Sequence, residues 1–175
     1  LPEKVLFSDF FRPLNAYEGV PYISVNLWFD KKITNEKFWA MVNDEQTPRY
    51  MNTDFYDQSN IYESRKGTSY ITSNIIYSHA YNAISDKEIV AKTLEEIKEA
   101  FPKMKAKVIQ HEVHRIPYVI YAPIPGMRSK KLSRQTPYTN FYLTGDWTVK
   151  EIPQCMEAAV KSGFECAELI VNNLK

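Results

Sequence analysis

The chain has 175 residues, of which 44% are hydrophobic and 14% aromatic, so it can bury one substantial hydrophobic core. Its 22 basic and 21 acidic residues leave a formal net charge of +1, which excludes a general nucleic-acid binder with a basic face for phosphates. No apolar run approaches the roughly 20 residues that are needed to span a bilayer.

The first third of the chain contains a predicted helix and a predicted strand. Apolar residues from Phe7 to Leu14 recur at i, i+3, i+4 and i+7, which predicts a short helix closed by Pro13 and the Gly19 region. From Tyr22 to Phe29, apolar residues alternate with more polar ones, which predicts a strand with one buried face. Residues 34–65 follow no clear period, and their structure is left open.

The middle of the chain contains two further predicted strands around a helix. The segment from Gly67 to Tyr77 is rich in residues that favour the pleated conformation, and so is the segment from Lys107 to Ile116. Between them, Ser85 and Glu88 have the spacing of a capping box. The apolar residues from Val90 to Phe101 then line one face of the helix that this box begins.

The C-terminal third ends in a long predicted helix. A proline-rich irregular connection leads to Asn140, and Phe141–Thr144 is predicted to be a short strand that ends at Gly145. The helix is predicted to begin near Pro153, and its free N–H groups and partial positive charge would suit an electron-rich group. Its apolar face is predicted to consist of Met156, Val160, Gly163, Ala167, Ile170 and Leu174.

The cysteines and histidines predict neither a disulfide nor a metal site. Cys155 and Cys166 are eleven residues apart on the predicted helix, or about 16 Å, which is too far for a disulfide. Free thiols suit a reducing cytosol, so we expect a cytoplasmic protein. His111 and His114 would point to opposite faces of a strand, and no further ligand spacing completes a zinc site with them or with His79.

The predicted strands and helices do not alternate as regular βαβ units. Their order therefore favours an α+β fold with a mixed or antiparallel sheet. We expect two parts, a substrate-type α+β domain over residues 1–139 and a C-terminal strand and helix over residues 140–175. Since the first residue is Leu1, we also expect the chain to be a processed or excised piece.

The segment from Asn140 to Gly163 resembles the closing signature of the flavin-containing amine-oxidase superfamily, especially its phytoene- and carotene-desaturase branch. The matching stretches are Thr-Gly-Asp-Trp-Thr at residues 144–148 and Met-Glu-Ala-Ala-Val-Lys-Ser-Gly at residues 156–163. Two earlier stretches, Gly19–Lys32 and His114–Gly126, are similar to further segments of that branch. Residues 37–65 match nothing in it.

The resemblance implies an FAD-dependent oxidoreductase that removes hydrogen from adjacent carbons of an isoprenoid or another apolar substrate. Asp146 would accept hydrogen bonds from the ribityl or pyrophosphate region of FAD, and Gly145 would let that region approach. Gln154, Cys155 and Met156 would aim backbone N–H groups at the pyrimidine carbonyl and N1 of the flavin. No catalytic residue is assigned, because such chemistry needs orientation and a dry pocket more than an acid or base.

The chain also departs from the family. No Gly-x-Gly-x-x-Gly occurs in it, so the pyrophosphate-binding βαβ unit is missing. We therefore expect the C-terminal strand and helix to dock on an absent N-terminal dinucleotide-binding domain. Weak or absent FAD binding and no activity are expected of this chain alone. Ala158 replaces a frequent Gly, and Ile116 stands where Thr is common.

Three classes of function are considered. The first is a desaturase of an isoprenoid, the second is a flavin amine oxidase or a protoporphyrinogen-oxidase-like enzyme, and the third is a non-catalytic sheet domain that keeps the motif for packing. Peripheral contact with a membrane is left open, although no polybasic amphipathic helix indicates it. The helix face that contains Met156, Gly163 and Ala167 is expected to be covered by a neighbouring copy or by rearranged local structure.

Overall fold

A computed structural model of the chain describes residues 2–43, 49–63 and 67–174. Residues 44–48 and 64–66, most of which belong to the segment left open by the sequence, lie outside the described residues. The described residues of 20–119 form one compact unit, and those of 1–19 and 120–175 form a second one. None of the described helices is long and apolar enough to cross a membrane.

The described strands form a five-stranded sheet with the order β2-β3-β4-β1-β5. Antiparallel pairing joins β2 to β3, β3 to β4 and β4 to β1. The predicted α+β fold with an antiparallel sheet is therefore confirmed. The strands are β1 (Gly19–Phe29), β2 (Phe38–Ala40), β3 (Asp54–Asp57), β4 (Tyr70–Ile76) and β5 (Val108–Tyr121).

Two long helices and several short ones accompany the sheet. Short 3₁₀ turns add Arg12–Ala16, Ser78–Tyr81 and Asp146–Thr148. In this chain the residues from 120 onwards group with the C-terminal helix. The predicted domain boundary of the longer protein, at residue 139, stays a prediction. The helices are α1 (Glu3–Leu6), α2 (Gln58–Ile61), α3 (Asp86–Ala100), α4 (Met127–Lys130) and α5 (Met156–Asn173).

The core of the first unit lies on one face of the sheet, under α3. The alternate residues of β1 that were predicted to be buried, from Ile23 to Phe29, are at most 1% exposed. Ile89 and Ile97 of α3 pack into the same cluster. Each such side chain contributes about 1.5–3 kcal/mol by leaving water. The N-cap at Ser85 is confirmed, because its hydroxyl accepts the N–H of Glu88 at 3.2 Å, while the described residues show no return bond from the Glu88 carboxylate.

The predicted helix from Phe7 to Leu14 is wrong. α1 ends at Leu6, Phe7 is 76% exposed, and a separate 3₁₀ turn follows over Arg12–Ala16. The Ser8 hydroxyl donates to the carbonyl of Val5 and so competes with helical bonding. Pro13 disfavours the α conformation of the residue before it, which prevents a continuous helix.

Strand β5 runs further than the sequence indicated. Its predicted end was Ile116, but the strand continues through Pro117 to Tyr121. β5 is at the edge of the described sheet, which is where strands tolerate a proline.

The C-terminal elements also differ from their prediction. The predicted strand at 141–144 is reduced to an isolated bridge between Gln135 and Tyr142. α5 begins at Met156 rather than near Pro153. The predicted apolar face of α5 is largely exposed in this chain, and the residues that α5 buries are Ala158, Ser162 and Cys166. Their small side chains let the helix lie close to the turn at Asp146–Thr148, while the larger residues face outward.

Candidate functional site

The turn that precedes the 3₁₀ segment depends on a glycine at position 145. Gly145 has a φ of +134°, which side-chain-bearing residues rarely adopt. A Cβ at this position would lie 2.5 Å from Nε1 of Trp147. The space left by the glycine is therefore filled by the indole of Trp147, whereas the sequence had suggested a ligand there. Contact of Gly145 with a ligand stays a prediction.

Ser162 ties this turn to α5. Its hydroxyl oxygen accepts the backbone N–H of Gly145 at 2.8 Å and lies 2.9 Å from the hydroxyl of Thr144. Because Ser162 donates its own proton to the carbonyl of Ala159, Thr144 is the donor in that second contact. The Ser-Gly pair belongs to the recognised signature, but sequence reasoning assigned no role to the serine.

Asp146 is half-buried at the start of the 3₁₀ turn. Within residues 2–43, 49–63 and 67–174, no hydrogen bond or ion pair engages its carboxylate. Its oxygens are therefore available as hydrogen-bond acceptors. Contact of Asp146 with FAD stays a prediction.

The N-terminus of α5 is open. Cys155 occupies the N-cap without a side-chain hydrogen bond, and the first intrahelical bond joins the N–H of Ala159 to the carbonyl of Cys155 at 3.1 Å. The N–H groups of Met156 and Glu157 come before that bond, and both residues are exposed, Met156 to 88%. This end of the helix therefore carries unpaired donors and partial positive charge.

The predicted site residues fall into two groups along α5. Cys155 and Met156 are at its tip, while Gly145 and Asp146 lie beside its second turn through the bond to Ser162. Ser162 is six residues after Met156, which is roughly 9 Å along the helix axis. The side chain of Gln154 donates to the carbonyl of Tyr121 at 3.2 Å, so its amide group holds the connection before the helix.

A cavity of about 380 Å³ adjoins the residues before the helix tip. Lys131 is only 8% exposed, its ammonium group donates to the carbonyl of Val149, and the ammonium nitrogen lies 6.0 Å from the ring centre of Tyr121. Lys131 therefore differs from its neighbour Lys130, which is exposed. The cavity is lined by Tyr121, Met127, Lys131, Ile152, Pro153 and Gln154, among others.

The chain matches a known family along most of its length. Residues 2–171 match the family model described as flavin containing amine oxidoreductase. The chain is 29% identical to a 15-cis-phytoene desaturase (chloroplastic/chromoplastic) of Capsicum annuum, over 99% of this chain and 30% of that protein. It is 28% identical to a 15-cis-phytoene desaturase of Synechococcus elongatus, over 98% of this chain and 36% of that protein.

A solved structure shows the same fold. It is an oxidoreductase from Methanosarcina mazei, with a TM-score of 0.62 and 15% identity, over 90% of this chain and 36% of that chain. The chain thus spans about a third of the length of the curated relatives that it matches.

Proposed function

Because the chain belongs to the flavin containing amine oxidoreductase family, we propose that it is the C-terminal part of an FAD-dependent oxidoreductase. The substrate is an isoprenoid or another apolar molecule that loses hydrogen from adjacent carbons. The observation that carries this proposal is the open N-terminus of α5 next to the turn of Gly145 and Asp146. The names of the pepper and cyanobacterial relatives support a desaturase over an amine oxidase.

The residues that are present fit a flavin. The exposed N–H groups of Met156 and Glu157 are donors for the carbonyl-bearing edge of a ring system. The open carboxylate of Asp146 is an acceptor for the hydroxyl groups of a sugar-like chain. Both groups of contacts lie along one helix, which suits a ligand with a ring at one end and a hydroxylated chain at the other.

When bound, the flavin would supply the hydride acceptor. The contribution of this chain is electrostatic and positional. The N-terminus of α5 stabilises negative charge that develops near it, because its donors are fixed before the reaction begins. The buried Lys131 adds a positive charge beside the cavity, and its effect is strengthened where water is excluded.

The chain alone binds FAD weakly or not at all and is inactive in this proposal. Two observations support this expectation. The relatives are about three times longer, and α5 exposes apolar side chains of Met156, Val160 and Phe164. An N-terminal FAD-binding domain of the longer protein is the proposed partner of that face. Peripheral contact with a membrane stays a prediction.

The test compares the full-length protein with this chain. We expect the full-length protein to purify with bound FAD and to remove hydrogen from a polyene, while this chain carries no flavin. Substitution of Asp146→Ala should weaken FAD binding in the full-length protein, whereas Asp9→Ala, which removes an exposed carboxylate, should not. A full-length protein without bound flavin would contradict the proposal. Oxidation of amines, but not of polyenes, would show that the protein is an amine oxidase.

A further inference from the structure

A chain of charged side chains runs along one side of α5. Nη2 of Arg134 forms an ion pair with Oε2 of Glu165, in the third turn of the helix. Oε1 of Glu165 lies 3.7 Å from Nζ of Lys161. The same ammonium group lies 4.0 Å from Oε2 of Glu151, in the connection before the helix. Positive and negative charges therefore alternate along this chain, and such a network stabilises a structure more than an isolated surface pair does.

These side chains surround one space. A cavity of about 410 Å³ is lined by Arg134, Glu151 and Glu165, among others. The pKa of the Glu151 carboxyl is lowered, first by a hydrogen bond from its own backbone N–H and also by the positive charges of Lys161 and Arg134. Without Arg134, the two carboxylates would have Lys161 as their one shared cation among the described residues. Arg134 therefore balances charge that would otherwise push these groups apart.

Arg134 is also joined to the segment that leads into the Gly145 turn. Its backbone carbonyl accepts the N–H of Leu143, two residues before Gly145, at 2.8 Å. Its side chain is only 23% exposed, and Glu165 is the one anion that pairs with it in the part of the chain that the structure describes. Because a largely buried guanidinium group is costly without an anionic partner, this pair holds α5 against that segment.

Two contacts of different kinds therefore join α5 to this segment. The hydroxyl of Ser162 accepts the N–H of Gly145 in the second turn of the helix, and Glu165 pairs with Arg134 in the third. The two helix residues are three positions apart, or about 4.5 Å along the axis. A single hydrogen bond would let the helix pivot about it, whereas a second contact further along fixes the direction of the axis. That direction decides where the free N–H groups at the tip of α5 point.

We propose that Arg134 is a positioning residue for the flavin site, because its ion pair with Glu165 sets the direction of α5 and so aims the tip of the helix. The inference rests on the proposed function, and Arg134 acts through Glu165 rather than by contact with the cofactor. The partial charge of a helix N-terminus acts over a short distance. A small tilt of α5 therefore weakens the stabilisation of the reduced flavin more than that of the oxidised flavin.

Redox titration of the flavin in the full-length protein tests the proposal. Arg134→Met should make the midpoint potential about 30 mV more negative, which corresponds to tenfold weaker binding of the reduced flavin relative to the oxidised flavin in a two-electron couple. Arg134→Lys keeps the charge but not the planar guanidinium group, so it should recover part of the wild-type potential. Arg12→Met breaks an exposed ion pair of the same unit and should leave the potential unchanged.

A variant of the partner residue separates positioning from a direct effect of charge on the flavin. Glu165→Gln removes a negative charge, so a direct effect would make the midpoint potential more positive. Positioning predicts the opposite, a more negative potential as in Arg134→Met. The double variant should resemble the single variants, because all of them lose the same ion pair. Shifts of opposite sign in the two single variants, or shifts that add in the double variant, overturn the proposal.

Thermal unfolding and flavin content of the same samples identify the other outcomes. Lower stability of the Arg134 and Glu165 variants with an unchanged midpoint potential would mean that the ion pair only stabilises the fold, and it would overturn the proposal. A full-length protein without bound flavin would contradict the proposed function instead. Hydrogen exchange of the Gly145 amide then tests the ion pair by itself. Faster exchange in both single variants supports the positioning role, and unchanged exchange overturns it.

Discussion

The hydroxyl oxygen of Ser162 lies 2.8 Å from the backbone nitrogen of Gly145 and accepts its proton. This bond joins the turn before Asp146 to the second turn of α5. Any ligand that contacts both Asp146 and the tip of the helix therefore meets two groups whose separation is set by one buried serine.

Substitution of Ser162→Ala should lower the free energy of unfolding by about 1–3 kcal/mol, because the N–H of Gly145 and the hydroxyl of Thr144 lose their acceptor. Urea unfolding measures the effect. Ser129→Ala is the control, since that exposed hydroxyl donates only to a local carbonyl. Equal stability of the Ser162 variant and the wild type would show that water replaces the bond.

Substitution of Gly145→Ala should also destabilise the chain, by about 1–3 kcal/mol. The added Cβ would meet the indole of Trp147 at 2.5 Å, and the φ of +134° is unfavourable for alanine. Gly163→Ala is the matched control, because a Cβ added there would have no neighbouring atom within 4 Å and alanine is favoured in a helix. That variant should be up to about 1 kcal/mol more stable. Thermal and urea unfolding of the two variants measure these changes. Changes in the free energy of unfolding with the same sign in both variants would contradict the prediction.

Substitution of Lys131→Met in the full-length protein should weaken flavin binding about tenfold, because a buried positive charge beside the helix tip is lost. Flavin fluorescence measures the dissociation constant. Lys130→Met removes an adjacent exposed charge and should have little effect. Comparable losses in both variants would mean that only the net charge matters.

Glu96 should make stability depend on pH. Burial raises the pKa of its carboxyl above the usual 4.5, although hydrogen bonds from Asn52 and from the N–H of Met51 oppose this. The folded protein therefore holds the proton more tightly than the unfolded chain. The contribution of Glu96 to the free energy of unfolding is therefore fully present below about pH 4.5. It is lost as the pH rises through the pKa that Glu96 has in the folded protein.

Urea unfolding between pH 4 and pH 7 tests this expectation. Glu96→Gln should remove the part of the pH dependence of the free energy of unfolding that comes from this carboxyl group. It should also lower stability throughout, because an amide cannot accept all the bonds that reach the two oxygens, from Met51 at 2.6 Å and from Asn52 at 2.8 Å and 3.1 Å. A variant with the same slope as the wild type would assign the dependence to another group.

The sequence was most informative where one physical requirement dominated. Alternation from Tyr22 to Phe29 predicted β1 and its buried face, because a strand with one covered face needs that period. The capping serine at position 85 predicted where α3 begins. The recognised signature indicated the family and directed attention to Gly145 and the start of α5 as the candidate site.

In the C-terminal helix, spacing alone does not say which side the chain itself buries. In α5 the stripe of Met156 and Val160 is exposed, whereas Ala158 and Ser162 are buried. Small side chains gave no periodic signal, although they allow close packing against the Gly145 turn. Likewise, nothing in the local sequence distinguishes Lys131, which is buried, from the exposed Lys130.

Pro117 has a further consequence for the margin of the sheet. β5 is long and largely open to solvent, and such a border invites strand addition by a second molecule. A proline and charged side chains are the features by which natural edge strands discourage such addition, and β5 carries Pro117 together with Glu112. These residues disfavour the addition of a second molecule to this strand.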